Sequence, residues 1–159
     1  MKVYHKKTER FFLPFLCKGM KMPSGSVTEH FRDGRNASNM MRHLAVDTFP
    51  STCRLMNQQE EVDIVAIGDD GWAEKWMVVC LTKHGVSFAP SKMKGVGRKF
   101  NAEDWAHGLG RIKGFVVCDI TEFPLVEIYH VSSEEVLKAY LNGLTSRKAS
   151  MSLKCFRTY

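Results

Sequence analysis

The fold is decided by the stretch VDIVAIGDDGWAEKWMVVCLTK, residues 62–83. It contains two apolar runs of strand length, separated by the turn-forming residues Asp69, Asp70 and Gly71. An Asp-Gly pair between two apolar runs is typical of a hairpin, because both residues tolerate the backbone angles of a tight turn. A third strand-like stretch, at 52–56, precedes them. Together these segments predict a three-stranded meander.

The flanking segments predict helices and two more strands. Upstream, Ser26 and Glu29 have the S-x-x-E spacing of a capping box, so a helix is expected from there towards Ala45. Downstream, the sequence predicts a short helix at 101–109, strands at 114–121 and 125–131, and a helix capped by Ser132. Residues 62–67 and 77–81 are apolar on both faces, which is typical of central strands covered by helices on each side.

The composition is that of one globular α/β domain. The chain has 159 residues, of which 44% are apolar and 25% charged, and a domain of this size buries roughly 70% of the surface that its unfolded chain exposes. We expect a basic N-terminal arm at 1–25, a core at 26–145 with a central mixed sheet flanked by helices, and a basic tail at 146–159. The apolar segment 11–17 is too short to cross a bilayer. The expected location is the cytoplasm, or the virion if a phage encodes the chain.

Zinc sites and common nucleophile motifs are not indicated. The five cysteines include no C-x-x-C pair, and the six histidines include no H-x-x-x-H pair. Cys80 precedes His84 by four residues, but it belongs to an apolar strand, where a thiol is expected to be part of the core rather than a nucleophile. The three tryptophans are also expected to be core or interface residues; they are Trp72, Trp76 and Trp105.

Positive charge favours an anionic partner. Lys and Arg number 23 against 17 Asp and Glu, and they concentrate in the loop KMKGVGRK at 92–99. Its two glycines allow phosphates to approach the backbone closely, although a solvated loop without a ligand is the alternative. The candidate nucleic-acid-binding residues are Lys92, Lys94, Arg98, Lys99, Arg111 and Lys113. DNA is the expected partner, RNA is the alternative, and the sequence leaves the oligomeric state open, a homodimer included.

Asp63 is the most informative single residue. Strand alternation places this acid on the same face as Val65 and Ile67, at the start of an apolar strand. It is either a carboxylate at the solvated mouth of the strand or a rigidly held ligand for a divalent metal. Lys83, at the end of the next strand, either stabilises a phosphate or orients a water, or it faces solvent as an ordinary strand end.

These residues and the order of the elements resemble the PD-(D/E)XK nuclease superfamily. That family places an acid on one strand of a meander and (E/D/Q)-x-K on the next, often with a glutamate on the preceding helix. Over 26–131, Asp63 matches the first acid, Lys83 the lysine and Glu29 the helical glutamate. The resemblance implies a restriction-endonuclease-like fold and a Mg²⁺-dependent DNA endonuclease, in which these three residues are catalytic and Asp63 binds the metal.

The chain departs from the family motif two residues before Lys83, where it has Leu81 instead of an acid. Moving the frame by one residue places Thr82 at the lysine position and Cys80 at the acid position, which is no better. Another carboxylate would have to complete the site; the candidates are Glu74, Asp69 and Asp70. Otherwise the fold serves a non-catalytic nucleic-acid-binding or assembly protein, or a protein-interaction module. Glu29 is equally explained as part of the capping box.

Overall fold

The computed structural model describes residues 6–12, 41–46, 48–49, 53–56, 62–90, 99–122 and 125–158. Its strands are β1 (Lys6–Phe12), β2 (Cys53–Leu55), β3 (Ile64–Ile67), β4 (Ala73–Leu81), β5 (Val86–Ser87), β6 (Gly114–Glu122), β7 (Leu125–Ser132) and β8 (Ser150–Met151). Its helices are α1, described over 41–46, α2 (Ala102–Leu109), α3 (Ser133–Leu141) and α4 (Leu153–Thr158). The predicted α/β class is confirmed.

Six strands form one mixed sheet in the order β1-β7-β6-β4-β3-β2. Strands β2, β3 and β4 form the predicted meander, with antiparallel pairing throughout. Strands β4 and β6 are parallel, because the chain crosses over through α2 between them. Strand β7 pairs antiparallel with both β6 and β1. β5 and β8 form a separate two-stranded sheet.

Local signals in the sequence fix the ends of these elements. In the β3–β4 turn, the Gly68 N–H donates to the Trp72 carbonyl at 2.9 Å, and Gly71 has a φ of 82°, a conformation that glycine adopts without strain. The Asn101 side chain accepts hydrogen bonds from the second and third amides of α2, and the Ser132 side chain accepts one from the third amide of α3. The predicted turn, the predicted start of α2 and the predicted Ser132 cap are therefore confirmed.

The two faces of the sheet carry separate cores. Because β4 and β6 alternate between the faces, their apolar residues contribute to both. On one face the sheet packs against α2, α3, α4 and the small sheet; the largest fully buried side chains there are Trp105, Phe88, Phe115, Met77, Leu81, Leu109 and Met151. The opposite face packs against α1 and includes Met41, Ala45, Ile64, Trp76, Val78 and Ile128. The mixed sheet therefore has helices on both sides, as predicted.

The expectation that 62–67 is a strand covered on both faces is wrong for one face. Val65 is only half-buried, and Ile67 is 42% exposed. Neither belongs to either core cluster. Strand β3 is separated from the sheet edge by the short strand β2 alone. The strands buried on both faces are β4 and β6.

The described parts of the segments expected to be an arm (1–25) and a tail (146–159) belong to the folded domain. Residues 6–12 form β1 and pair with β7, and the C-terminal residues form β8 and α4, where Met151 and Phe156 are 1% and 3% exposed. Local pattern did not indicate these elements because partners distant in the sequence stabilise them. Within the described part of the chain, no helix is both long and apolar enough to cross a membrane.

Candidate functional site

Asp63 lies directly before the first residue of β3, beside β4, and the residue is 3% exposed. The Asp63 amide donates to the Trp76 carbonyl at 3.0 Å, and the Val78 amide then donates to Asp63 Oδ2 at 2.7 Å. The carboxylate thus accepts the hydrogen bond of a strand amide at the point where the neighbouring strand diverges. The interpretation of Asp63 as a solvated residue at the strand mouth is therefore wrong.

Arg42 of α1 is the charged partner of Asp63. Its Nε lies 2.9 Å from Asp63 Oδ1, and the arginine side chain is 9% exposed. Arg42 also donates to the Met56 carbonyl, while the Met56 amide donates to the Asp63 carbonyl at 2.7 Å. This network joins α1, the end of β2 and the start of β3. A buried ion pair is costly to break, because the remaining charge is left without a partner in a medium of low dielectric constant.

The geometry of Asp63 favours a structural role. One carboxylate oxygen forms the ion pair with the Arg42 guanidinium, and the other accepts the hydrogen bond of the Val78 amide. Among the described residues, no three His, Cys, Asp or Glu side chains gather in a way that would hold a metal ion. Glu29, the expected helical acid, lies outside the described residues. Metal binding by Asp63 stays a prediction from the sequence.

Lys83 lies in the tight turn after β4. The backbones of Thr82 and Gly85 pair with each other at 2.9 and 3.1 Å, and the Lys83 side chain between them is exposed. Lys83 follows Val78, the residue that contacts Asp63, by five positions, about 16 Å of extended chain. Asp63 therefore lies beside the middle of β4, whereas Lys83 lies beyond the end of that strand.

The three candidate carboxylates lie at the opposite end of β4, around the β3–β4 turn. Glu74 is opposite Ala66 and forms an ion pair with Lys113, with 3.5 Å between Oε2 and Nζ. Asp70 accepts the Trp72 amide at 3.0 Å, and Asp69 is exposed in the turn. These contacts account for Glu74 and Asp70 within the hairpin, so neither is oriented towards Lys83.

The structure describes three of the six predicted nucleic-acid-binding residues. Lys99 precedes α2, whereas Arg111 and Lys113 follow it, and all three are exposed. An eight-residue helix is about 12 Å long, so it holds Lys99 apart from the other two. The remaining three, Lys92, Lys94 and Arg98, lie outside the described residues. The structure therefore groups Arg111 with Lys113 and separates both from Lys99.

Two further basic residues join Arg111 and Lys113. Arg54 on β2 and Lys75 on β4 both stand opposite Val65 in the sheet register, so the two side chains share one face, and both are exposed. The Lys113 amide donates to the Lys75 carbonyl at 2.7 Å. We call Arg54, Lys75, Arg111 and Lys113 the basic sheet surface. Sequence pattern did not single out Arg54 or Lys75, because their proximity depends on strand register.

A second polar cluster lies where β6 ends and β7 begins. Asp119 and Glu127 stand directly opposite each other, which is unfavourable for like charges unless each finds a donor. Thr121 donates to Asp119 at 2.6 Å, with Arg157 of α4 3.5 Å away, and Tyr129 donates to Glu127 at 2.7 Å. Burial, followed by this hydrogen bond to Glu127, raises the pKa of the Tyr129 hydroxyl. The cluster anchors α4 to the sheet.

A shallow cleft of about 380 Å³ separates α2 from the start of α3, beside Lys113. Its walls are largely apolar and include Leu109, Ile112 and Leu137. The Ser133 hydroxyl donates to the Ile112 carbonyl at 2.9 Å, so it contributes to the packing of the two helices. The cleft shares Lys113 with the basic sheet surface described above, and its other polar lining residues are Ser132, Ser133 and Glu134 at the start of α3.

Cys80 lies in β4 beside Cys118 of β6, its register partner. Burial raises the pKa of Cys80 to about 12, and burial, followed by the neighbouring Cys80, raises the pKa of Cys118 well above its usual value. A thiol with such a pKa is protonated at neutral pH and is a poor nucleophile. This agrees with the expectation from sequence that Cys80 belongs to the core.

We predict that neither Cys80 nor Cys118 reacts with iodoacetamide in the native protein at pH 8, because the thiolate is almost absent there. After unfolding in urea, both should be alkylated within minutes. Peptide mass spectrometry after alkylation with and without urea measures the modified fraction at each position. Rapid modification of Cys80 in the native state would show that its thiol is activated.

The chain matches no family model, no curated protein and no solved structure. The resemblance to PD-(D/E)XK nucleases therefore rests on the order of elements and on three residues, and it stays a prediction.

Proposed function

We propose that this chain is a nucleic-acid-binding protein that contacts phosphates through the basic sheet surface and does not use Asp63 for catalysis. The observation that carries the proposal is the exposed set of Arg54, Lys75, Arg111 and Lys113 around the β2–β4 end of the sheet. Such a set supplies the positive potential that phosphates require.

Overall charge and local exposure support this proposal. The chain has a formal net charge of +6. The Lys113 ammonium is shared with Glu74, but its side chain remains 55% exposed and can contact a phosphate at the same time. The turn carboxylates Asp69 and Asp70 oppose anion binding beside Trp72, so phosphates are expected towards Arg54 and Lys75.

The engagement of Asp63 favours binding over cleavage. A carboxylate that binds Mg²⁺ in a nuclease needs a lone pair directed towards the open site and further oxygen ligands beside it. Here the buried Asp63 carboxylate forms an ion pair with Arg42 and accepts the hydrogen bond of the Val78 amide. The role that these contacts support is to hold α1 against the sheet.

We predict that Lys75→Ala weakens binding to nucleic acid and makes its salt dependence shallower. Each lost phosphate contact should reduce the slope of log K against log salt by about 1. Fluorescence anisotropy with a labelled oligonucleotide, at KCl concentrations from about 50 to about 300 mM, measures both the affinity and its salt dependence. Arg54→Ala should behave in the same way.

Lys138→Ala is the matched control. Lys138 is an exposed lysine on α3 whose ammonium lies 3.2 Å from Glu134, and its removal should leave affinity and salt slope unchanged. Equal effects of Lys75→Ala and Lys138→Ala would mean that binding depends only on net charge, which contradicts the proposal.

A plasmid-cleavage assay with Mg²⁺ or Mn²⁺ tests the endonuclease predicted from the sequence. Cleavage by the wild type that disappears in a folded Asp63→Asn or Lys83→Ala variant would replace our proposal by the nuclease. Binding that is indifferent to Lys83→Ala and proceeds without cleavage supports it.

A further inference from the structure

The turn between β4 and β5 holds Lys83 and His84 at its tip. The Thr82 and Gly85 backbones exchange hydrogen bonds of 2.9 and 3.1 Å, and the His84 amide donates to Thr82 Oγ1 at 3.2 Å. Gly85 has a φ of 97°, which glycine adopts without strain. Lys83 and His84 are both exposed. The turn is therefore a fixed piece of backbone that presents the Lys83 side chain to solvent.

The same turn packs against the start of α4, which carries two more cations. Val86 pairs with Met151 in the small sheet, and a Cβ atom at Gly85 would collide with the Met151 carbonyl. Lys154 follows Met151 by three positions and is exposed. Arg157, one turn later on the same side of α4, is 48% exposed. We call these residues the basic turn surface: Lys83, His84, Lys154 and Arg157.

Two carboxylates near Arg157 are engaged within the protein. Asp119 is 7% exposed, accepts the Thr121 hydroxyl at 2.6 Å and lies 3.5 Å from Arg157. Glu127 accepts the Tyr129 hydroxyl at 2.7 Å. Arg157 also donates to Thr121 Oγ1 at 2.7 Å, which holds α4 in place. These internal partners reduce the repulsion that the two carboxylates exert on an anion at the basic turn surface.

The basic turn surface is separate from the basic sheet surface. Lys75 and Lys83 are eight residues apart, about 26 Å of extended chain. Between them Met77, Val79 and Leu81 share the face of Lys75, and they are 1%, 8% and 0% exposed beneath the helical layer. A ligand that lies on the uncovered sheet at Lys75 therefore meets the helices before it reaches Lys83.

We infer that the basic turn surface contacts the phosphates of a second nucleic-acid segment, so that one molecule of this chain holds two segments together; this inference rests on the proposed function. Contacts from Lys and Arg to phosphates require no particular base sequence, so both surfaces accept the same kind of segment. Because the helical layer lies between the two surfaces, each of them binds a segment of its own. Lys83 then contributes to binding instead of cleavage.

A bead-capture assay on the full chain tests this inference. A DNA duplex of about 20 base pairs, two helical turns, is attached to beads through biotin, and a fluorescein-labelled copy is added in solution. The single strand of the same sequence is run in parallel. The protein should retain the labelled copy on the beads. The double variant Lys83→Ala/Lys154→Ala should lower this retention about fivefold, because the second segment loses phosphate contacts.

The affinity for one duplex separates the two surfaces. In fluorescence anisotropy, Lys83→Ala/Lys154→Ala should change the Kd for a single duplex by less than about twofold, because the basic sheet surface still binds it and distant sites act independently. Lys75→Ala should weaken both single-duplex binding and retention. Lys138→Ala, the matched control for Lys154→Ala, should change neither. The urea midpoint of each variant confirms that it is folded.

The outcomes distinguish the inference from the function on which it rests. A dimer of this chain would also retain the labelled copy, by presenting the basic sheet surface twice. Retention that survives in Lys83→Ala/Lys154→Ala would therefore overturn the inference, and sedimentation velocity without DNA would identify the dimer. Binding of one duplex without retention of a second would overturn it as well and leave nucleic-acid binding intact. Binding of neither duplex nor single strand at low salt would overturn both.

Discussion

Replacing Asp63 by alanine should lower the free energy of unfolding by about 3–5 kcal/mol, the usual cost of removing one partner of a buried ion pair. Arg42 would keep its charge in a site where its side chain is 9% exposed. The Val78 amide would also lose its acceptor, and an unsatisfied buried donor adds to the cost. Urea unfolding followed by circular dichroism, with EDTA present, measures the change.

The double variant Asp63→Leu/Arg42→Met is the control for this prediction. Replacing both charges by apolar side chains of similar size should recover much of the lost stability, since no buried charge then lacks a partner. A metal ligand would behave differently: a carboxylate kept for a cation contributes little to the metal-free fold. Asp63→Ala with unchanged or increased stability in EDTA would therefore contradict the structural role.

Trp105→Ala should also cost about 3–5 kcal/mol, as large aromatic truncations in a core do. The indole is 0% exposed and donates from Nε1 to the Phe88 carbonyl at 2.9 Å. Its ring centroid lies 4.9 Å from that of Tyr140 on α3. The side chain therefore joins α2 and α3 to the small sheet, and its removal leaves a cavity between them.

Trp72→Ala is the matched control, because it removes the same side chain from an exposed position. Its effect on stability should stay within about 0.5 kcal/mol. The same urea series measures both variants. A large loss of stability in Trp72→Ala would mean that the indole packs against the protein in solution. A small loss in Trp105→Ala would mean that the helical layer is loosely attached.

Local features of the sequence predicted much of the fold. The D-D-G turn, the Asn101 cap and the Ser132 cap depend on residues within four positions of each other, so their signals are contained in short windows. The meander followed from its apolar runs. Strand β1 and helix α4 could not be predicted in this way, because each is stabilised by a partner far away in the sequence. Residues 114–121 were predicted as a strand, but the burial of β6 on both faces was not predicted.

Less of the candidate site than of the fold could be predicted from the sequence. The position of Asp63 at the start of an apolar strand correctly marked it as unusual. Its role depends on Arg42, which comes from a separate helix, and no spacing rule connects the two residues. Arg54 and Lys75 face the same way only because both stand opposite Val65. Strand register decides that arrangement, because a slip of one residue would turn the side chains of a strand to the opposite face of the sheet.

The pairing of β1 with β7 also affects when each strand joins the sheet during synthesis. Residues 6–12 leave the ribosome long before their hydrogen-bonding partners at 125–132 are made. Until then the first strand has no sheet edge to join, and the closure of so long a loop is slow. Once joined, it covers the edge of β7, which would otherwise be open to strands of other molecules. Residues 6–12 are therefore expected to join the sheet long after they are translated, and β1 instead of β7 then forms this edge of the sheet.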